Sequence, residues 1–247
     1  MTPFSSLCDD FYLSAYLNTE LELPHSRDTI LHYFEQIVKK FPSMHNFYGR
    51  DPREYVLEED KESGSYRWVS VESQRICSGY FNPPSLDVCH CQHELALELA
   101  QPVFSVGPLD CEALDVMFGF DFTYKGNHDD VVAEVFARDS RLDSLLGMSG
   151  GKVIEFEPSI TISLDENCHM QARLSVVTRT NSYQIRTGQF AEEAISIYFT
   201  IRRYWNSVGG ASFVESYRRQ METGLEIVQE HVIPNVVVPL SEVISTR

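Results

Sequence analysis

The stretch DVMFGFDFTYK, residues 115–125, alternates between two kinds of side chain over its whole length. The even positions carry Val116, Phe118, Phe120, Phe122 and Tyr124, and the odd positions carry Asp115, Met117, Gly119, Asp121 and Thr123. Successive side chains of a β-strand point to opposite faces, so the pattern predicts a long strand with one buried and one polar face. The following GNHDD predicts a helix with Asn127 as its N-cap.

The same succession of strand and helix is predicted in the first half of the chain. Residues 11–23, FYLSAYLNTELEL, alternate in the same way, and a helix is expected over 27–40 with Ser26 as its N-cap. Two strands follow near 54–60 and 66–80, joined by a KESGS turn. A helix is then expected from about residue 86 after NPPS, ending before Pro102.

After the helix that begins near Asn127, the sequence predicts a hairpin of strands 153–164 and 168–179 around the turn DEN. We expect its even positions to be buried: Ile154, Phe156, Ile160, Ile162, Leu164, Met170, Ala172, Leu174 and Val176. More strand is expected near 182–187 and 193–205. A long helix begins at Ser212, where Glu215 completes a capping box.

The order strand, helix, strand, strand, helix thus occurs twice, and SGYF (78–81) is echoed by TGQF (187–190). We predict an α+β fold in which internally duplicated β-α-β-β-α units form a continuous, mainly antiparallel sheet, with helices packed on one face and a long C-terminal helix. The halves are residues 1–106 and 107–247, which form one compact unit. This plan resembles duplicated ferredoxin-like or TATA-binding-protein-like saddles, a similarity of architecture that implies no function. A single sheet wrapped around the C-terminal helix is the alternative.

The charge and the cysteine content limit the partners and the compartment. Thirty-six acidic and twenty basic residues give a formal charge of −16, which disfavours broad binding to nucleic acid or to anionic membranes. The sequence has no apolar run of about 18 residues, and because residues 1–12 do not have the pattern of a secretory signal, we expect none. Six cysteines in such a chain are typical of reduced thiols. We therefore expect a cytoplasmic protein without a membrane or nucleic-acid partner.

The densest group of potential metal ligands lies in the helix predicted from residue 86, at Cys89, His90, Cys91 and His93. Helical spacing places Cys91 in a core stripe with Val88, Leu95 and Leu99, and turns His90 toward solvent. Cys89 and His93 could share a metal, but a structural zinc site requires four ligands. The others, such as Cys168 and His169, would have to come from a distant segment. The sequence thus predicts no metal and no cofactor.

The polar face of the sheet is the best candidate for a ligand site. The residues predicted to form it are Tyr12, Tyr16, Asp121, Glu157, Arg173 and Arg179. The DEN turn predicts that Ser159 faces Arg173. Five arginines between residues 170 and 205 form a basic island that could bind an anion. Neutralisation of Glu155 and Glu157 by these arginines is the favoured interpretation of the island, and a solvated surface is the simplest interpretation of the face.

Three functional hypotheses follow. No complete catalytic motif occurs in the sequence, which favours a non-catalytic binding or assembly module that self-associates or binds another protein. The alternative is a protein that binds a small molecule or an anion on the polar sheet face. An enzyme with an unrecognised acid–base pair is the third, and it has the least support.

Overall fold

The computed structural model describes residues 4–205 and 211–247. Its framework is a nine-stranded antiparallel sheet in the order β2-β3-β4-β5-β1-β6-β9-β8-β7. The strands are β1 Asp10–Thr19, β2 Asn46–Asp51, β3 Glu54–Glu58, β4 Tyr66–Glu72, β5 Arg75–Phe81, β6 Cys111–Tyr124, β7 Ser159–Ser163, β8 Met170–Val177 and β9 Glu193–Tyr204. The fold is therefore mixed helix and strand, as predicted, with both ends of the sheet open.

The centre of the sheet is β6, which pairs with β1 on one side and with β9 on the other. Its even residues Val116, Phe118, Phe120 and Phe122 are all buried. On β1, Phe11 and Leu13 are buried on the same face. The alternation in both stretches is confirmed, because the core lies between this face of the sheet and the helices.

The helices are α1 Arg27–Lys40, α2 Leu86–Phe104, α3 His128–Phe136, α4 Asp143–Leu146, α5 Ser182–Thr187, α6 Phe213–Ile227 and α7 Val238–Ser245. A short 3₁₀ turn spans Lys61–Ser63. α2 contacts β1 and β5, α6 contacts β6 and β9, and α1 and α2 pack together. The predicted N-caps Ser26, Asn127 and Ser212 all accept backbone hydrogen bonds from the first turns of their helices.

The C-terminal helix is long because α6 and α7 are joined by a π-helical segment, Val228–Val237. This segment contains Pro234, which has no backbone N–H to donate and so favours a departure from α-helical hydrogen bonding. Val237 and Leu240 are buried, and α7 packs against α3. The apolar C-terminal segment, residues 234–247, therefore packs on the body of its own chain.

Several predicted boundaries differ from the structure. The sequence did not predict β2, and residues 66–80 form two strands, β4 and β5, instead of one. Residues 182–187 are helix α5 and not a strand, because Asn181 and Gln184 form a capping box there. α2 continues through Pro102 to Phe104. Pro102 lies in the helix interior, so its ring costs one intrahelical hydrogen bond without ending the helix.

The hairpin of the second half is shorter than predicted, and its first strand is not buried. Residues 153–158 lie outside the strands, while Ile154, Ile160 and Ile162 are 57%, 58% and 48% exposed. β7 is the outermost strand, two strands beyond β9, on which α6 packs. Ile160 and Ile162 therefore extend past the helix layer, although they point to the helix side as the alternation predicts.

In α2 the buried stripe is displaced by about one residue from the prediction. The buried residues are Cys89, Gln92, His93, Ala96, Leu97, Ala100 and Phe104, whereas Cys91 is exposed. His90 is half-buried and shares a hydrogen bond of 3.0 Å with the Tyr217 hydroxyl of α6. Polar side chains can occupy this stripe because Gln92 and His93 find hydrogen-bond partners in the sheet.

Both predicted halves contribute to one sheet, since β1–β5 precede residue 106 and β6–β9 follow it. β1 and β6 lie side by side in the middle. The duplication, with its boundary between residues 106 and 107, stays a prediction. The sheet has β2 and β7 at opposite ends, so it does not close around the C-terminal helix as in the alternative arrangement.

Candidate anion-binding groove

The face of the sheet opposite the helices, here called the open face, carries two adjacent rows of side chains that are aligned by strand pairing. One row runs across five strands through Thr161, Arg173, Thr200, Met117 and Ser14. The next runs through Gln171, Arg202, Asp115 and Tyr16. Alternation along β1, β6, β8 and β9 places both rows on the same side of the sheet.

These two rows form the floor of a groove with a volume of about 320 Å³. Its lining residues are Tyr16, Arg75, Asp115, Met117, Thr161, Gln171, Arg173, Thr200, Arg202 and Tyr204. The volume is within the range of small-ligand sites. Three arginines and a single carboxylate line the groove, so its local charge is opposite to the charge of the chain as a whole.

Two of the arginines have partners within the chain. Arg202 donates to both oxygens of Asp115 from its Nε and Nη2, at 2.7 and 2.6 Å, and this hydrogen bonding raises the pKa of Arg202. Arg75 donates from Nε to Asn18 Oδ1 at 2.9 Å and lies 5.8 Å from the centre of the Tyr16 ring. It also forms a longer ion pair of 3.8 Å with Glu72, which leaves its Nη2 free. The carboxylate of Asp115 is thus committed to Arg202, while Arg75 keeps donors that can reach a ligand.

Arg173 differs from both. Its side chain is exposed, and it forms no ion pair or hydrogen bond with any residue in 4–205 or 211–247. It faces Thr161 on β7 and Thr200 on β9. The predicted neighbour, Ser159, faces Ser175 instead, so the hairpin register differs by two residues from the prediction. Arg173 therefore presents a free guanidinium fork to the groove, suited to a carboxylate or a phosphate.

Tyr16 lines the groove together with Arg173, as the alternation of β1 and β8 predicts. Its side chain is half-buried, and burial raises the pKa of Tyr16 to about 12. The phenol therefore stays protonated at neutral pH, where it can donate a hydrogen bond to a bound group.

Three of the other predicted residues form a second cluster at one end of the open face. Tyr12 donates to Asp121 at 3.3 Å. Arg179 donates to Ser196 Oγ at 2.9 Å and to the carbonyl of Ala194. Burial raises the pKa of Asp121, opposed by a hydrogen bond from Ser196 and by the charge of Arg179. These residues do not line the groove, although the cluster shares its face of the sheet.

Glu157 belongs to neither group. Its Oε1 accepts a hydrogen bond from the backbone N–H of Thr178 at 2.7 Å. The ion pairs formed within the described residues include neither Glu157 nor Glu155, so the expected neutralisation of these carboxylates by the basic island is absent there. Arg202 is instead neutralised by Asp115, which the sequence did not place beside it.

Two of the four potential metal ligands of α2, Cys89 and His93, are buried and used in packing. The Cys89 thiol donates to the Ser85 carbonyl at 3.7 Å, and His93 Nδ1 shares a hydrogen bond of 2.8 Å with Ser78 Oγ. Complete burial lowers the pKa of His93 to about 3. Across the described residues, no group of three or more His, Cys, Asp or Glu side chains is arranged to hold a metal ion.

A larger cavity of about 950 Å³ lies between α3 and residues 142–156. Four of its charged residues are paired, because Arg247 binds Asp130 and Glu134, and Arg138 also binds Glu134. Its other charged residues, Asp143, Lys152 and Glu155, form no ion pair among the described residues. Two of these three are carboxylates, so the cavity does not bring together free basic groups as the smaller groove does.

Sequence reasoning missed Arg75, Asp115 and Thr200 as parts of the groove. Their alternation places them on polar faces, but their meeting depends on β5, β1, β6 and β9 being neighbours. The opposite charges of Asp115 and Arg202 are the sequence signal for that pairing, since opposite charges are favoured across a strand pair.

Comparison with protein-family models and with curated protein sequences finds no match to the chain. In residues 4–205 and 211–247, no helix has the length and apolar character needed to cross a membrane. The geometry of the groove is therefore the basis for a functional proposal.

Proposed function

We propose that the protein binds an anionic small molecule in the groove on the open face, with Arg173 as its main contact. The observation that carries this proposal is the free guanidinium of Arg173 in a groove that also contains Arg75 and Arg202. An exposed arginine without a partner is common on protein surfaces. Convergence of three arginines in one concavity of a chain with a charge of −16 is what favours a ligand.

The expected chemistry is recognition of a carboxylate or a phosphate by planar donors. Arg173 supplies a bidentate fork, and the hydroxyl groups of Thr161 and Thr200 lie in register beside it. Tyr16 supplies a further donor from the next row. These hydrogen-bond donors are sufficient for binding, and the proposal assigns no catalytic role to them.

Thermal unfolding and calorimetric titration with sodium phosphate, at constant ionic strength, test the proposal. With a Kd of about 1 mM, phosphate at about 10 mM stabilises the folded state by about 1.4 kcal/mol. For a chain of this length such a gain raises Tm by about 3 °C or more. Arg173→Gln should abolish the shift.

The matched control is Arg141→Gln, which removes the same charge from an exposed site outside the groove. It should bind phosphate as the wild type does. The proposal would be refuted if neither phosphate nor citrate changed the Tm of the wild type at constant ionic strength.

We propose as a second function that the chain self-associates through β7. This edge strand, SITIS, carries no charge and exposes Ile160 and Ile162. The opposite edge strand, β2, contains Arg50 and Asp51 and an irregular register after Gly49, features that blunt an edge against pairing. An unprotected edge favours antiparallel addition of a second β7.

Sedimentation velocity over a range of protein concentrations tests the second proposal. A five-residue edge buries less area than a standard dimer interface, so we expect a weak dimer that strengthens with salt as repulsion between two acidic chains is screened. Ile162→Lys should abolish it, whereas Ile154→Lys, outside the strand, should not. A wild-type monomer at every concentration and salt level would contradict the proposal.

A further inference from the structure

Beside the groove, the open face carries a row of aromatic side chains that the proposed anion site does not use. In strand register the row runs through Tyr66, Phe81, Tyr12, Gly119 and Tyr198, across five adjacent strands. We call these residues the aromatic row. Four of its five members are aromatic, and each of these four is partly buried and partly accessible.

Each ring of the aromatic row contacts the next one across the sheet. The centres of the Tyr66 and Phe81 rings are 5.2 Å apart with an interplanar angle of 22°, and those of Phe81 and Tyr12 are 5.9 Å apart at 18°. Tyr12 then meets the ring of Tyr198 edge-on at 6.2 Å. Near-parallel rings at these separations form offset stacks, which leave part of each face open to a further planar group.

Gly119 allows the row to continue. A Cβ atom at this position would lie 2.3 Å from the Tyr12 ring, so the ring must lie directly over the Gly119 backbone. On the next row, the ring of Trp68 covers Gly79 in the same manner, with 2.0 Å to the position of a Cβ. The two glycines thus let large rings lie low across the sheet, and the face stays open above them.

The aromatic row and the groove are adjacent. Tyr198 precedes Thr200 by two residues on β9, so the aromatic row is about 7 Å from the row that contains Arg173. Asp121, on the far side of the aromatic row, pairs in register with Asp10, and these two carboxylates outnumber the one nearby guanidinium, that of Arg179, so an anion is less favoured there. The distribution of charge therefore favours a ligand whose anionic end lies at Arg173 and whose uncharged end lies over Tyr198 and Tyr12.

We infer that the ligand of the groove is an aromatic anion, a planar ring system that carries a phosphate or carboxylate group. This inference rests on the proposed anion-binding function and specifies the rest of the ligand. The ring system lies on Tyr198 and Tyr12, while the anionic group binds Arg173. Stacking on an accessible aromatic face adds affinity without selecting one particular ring.

Titration calorimetry with two phosphate monoesters of equal charge tests the inference. Methyl phosphate carries the anion alone, and 1-naphthyl phosphate adds the planar group. Wild type should bind 1-naphthyl phosphate about tenfold more tightly than methyl phosphate, or better. Tyr198→Leu should reduce this ratio to near one while retaining methyl phosphate binding, and Arg173→Gln should weaken both.

Tyr183→Leu is the matched control, because Tyr183 is an exposed tyrosine that lies near an arginine, Arg186, outside the groove and the aromatic row. It should leave the ratio unchanged. Equal affinities of wild type for the two esters would overturn the inference and leave the anion site intact. Failure of both esters to bind would overturn the proposed function, and the inference with it.

Discussion

Arg202 binds Asp115 through two parallel hydrogen bonds of 2.7 and 2.6 Å across the β6–β9 pair. Asn18 donates a third hydrogen bond to the same carboxylate at 3.1 Å. This arrangement holds one of the three arginines of the groove in place and offsets its charge. The pair therefore links the stability of the central strands to the charge of the groove.

Asp115→Asn should increase the affinity for phosphate and decrease stability. The amide leaves the charge of Arg202 without a counter-ion, so we expect phosphate to bind about threefold to tenfold more tightly. Loss of the charged acceptor should lower the free energy of unfolding by about 1–3 kcal/mol. Calorimetric titration and urea unfolding measure the two effects.

Glu226→Gln is the control, because it makes the same change of charge on the exposed side of α6. It should change neither the phosphate affinity nor the free energy of unfolding beyond experimental error. A stable Asp115→Asn variant with wild-type phosphate affinity would show that Arg202 does not contribute to the binding of phosphate.

Gly79→Ala and Gly119→Ala should both destabilise the protein and move the rings above them. The new methyl group would overlap Trp68 in the first variant and Tyr12 in the second. Overpacking of this kind costs about 1–3 kcal/mol. Urea unfolding measures the loss, and a changed emission spectrum of Trp68 in a Trp205→Phe background reports displacement of its ring.

Gly49→Ala is the control, because a methyl group there meets only ordinary contacts, 3.7 Å from the nearest atom. Its free energy of unfolding should change by less than about 1 kcal/mol. Wild-type stability and emission for Gly79→Ala would contradict the close approach of Trp68 to the β5 backbone.

His93 should make the protein less stable as pH falls. Its pKa is lowered to about 3 in the folded state, from an ordinary value near 6.5. Between these values only the unfolded chain binds the proton, so the contribution of His93 to stability is complete above pH 6.5 and decreases below it. The slope is at most about 1.4 kcal/mol per pH unit.

The measurement is the free energy of unfolding between pH 7.5 and pH 5.0 for wild type and for His93→Gln. The variant should depend less steeply on pH, since other titrating groups act in both proteins. His32→Gln, which replaces an exposed histidine of α1, should follow the wild type. Parallel curves for wild type and His93→Gln would mean that His93 is protonated normally in the fold.

Local patterns were sufficient to predict the central strands and the starts of α1, α2, α3 and α6. The alternation over 115–124 identifies β6, and Ser212 with Glu215 identifies the start of α6, because both signals involve only neighbours in sequence. The alternation over residues 153–164 likewise predicts correctly that Ile160 and Ile162 point to the helix side of the sheet. It does not reveal that β7 is an edge strand beyond the helices, since that depends on the order of the whole sheet.

The candidate site was also predictable only in part, because some of its residues follow a local pattern and others meet through the order of the strands. Tyr16 and Arg173 were placed on the polar face by alternation, and both line the groove. Arg75 and Asp115 reach it through strand pairings between distant segments, which no local pattern encodes. The core stripe predicted for α2 did not include Gln92, whose partners, such as the Gly79 carbonyl, come from tertiary packing.

Two buried glutamines connect helices to the sheet, and they should differ in their contribution to stability. Gln220 of α6 donates from Nε2 to the carbonyls of Leu114 and Ile201 at 2.7 and 2.9 Å. Gln92 of α2 donates to the carbonyl of Trp68 at 2.9 Å and to that of Gly79 at 3.0 Å.

We expect Gln220→Leu to lower the free energy of unfolding by about 1–3 kcal/mol, because it removes the amide donor from two buried carbonyls. Gln92→Leu should cost less. The Oε1 atom of Gln92 is buried without a hydrogen-bond partner among the described residues, and leucine removes this unsatisfied group together with the donor.

Gln229→Leu, at an exposed position, should change the free energy of unfolding by less than about 0.5 kcal/mol in the same urea titration. If Gln92→Leu and Gln220→Leu lower the free energy of unfolding equally, Gln92 Oε1 must have a partner, such as an ordered water molecule. Gln92→Leu would then also break the hydrogen bond to that oxygen, and this loss would add to the loss of the donor.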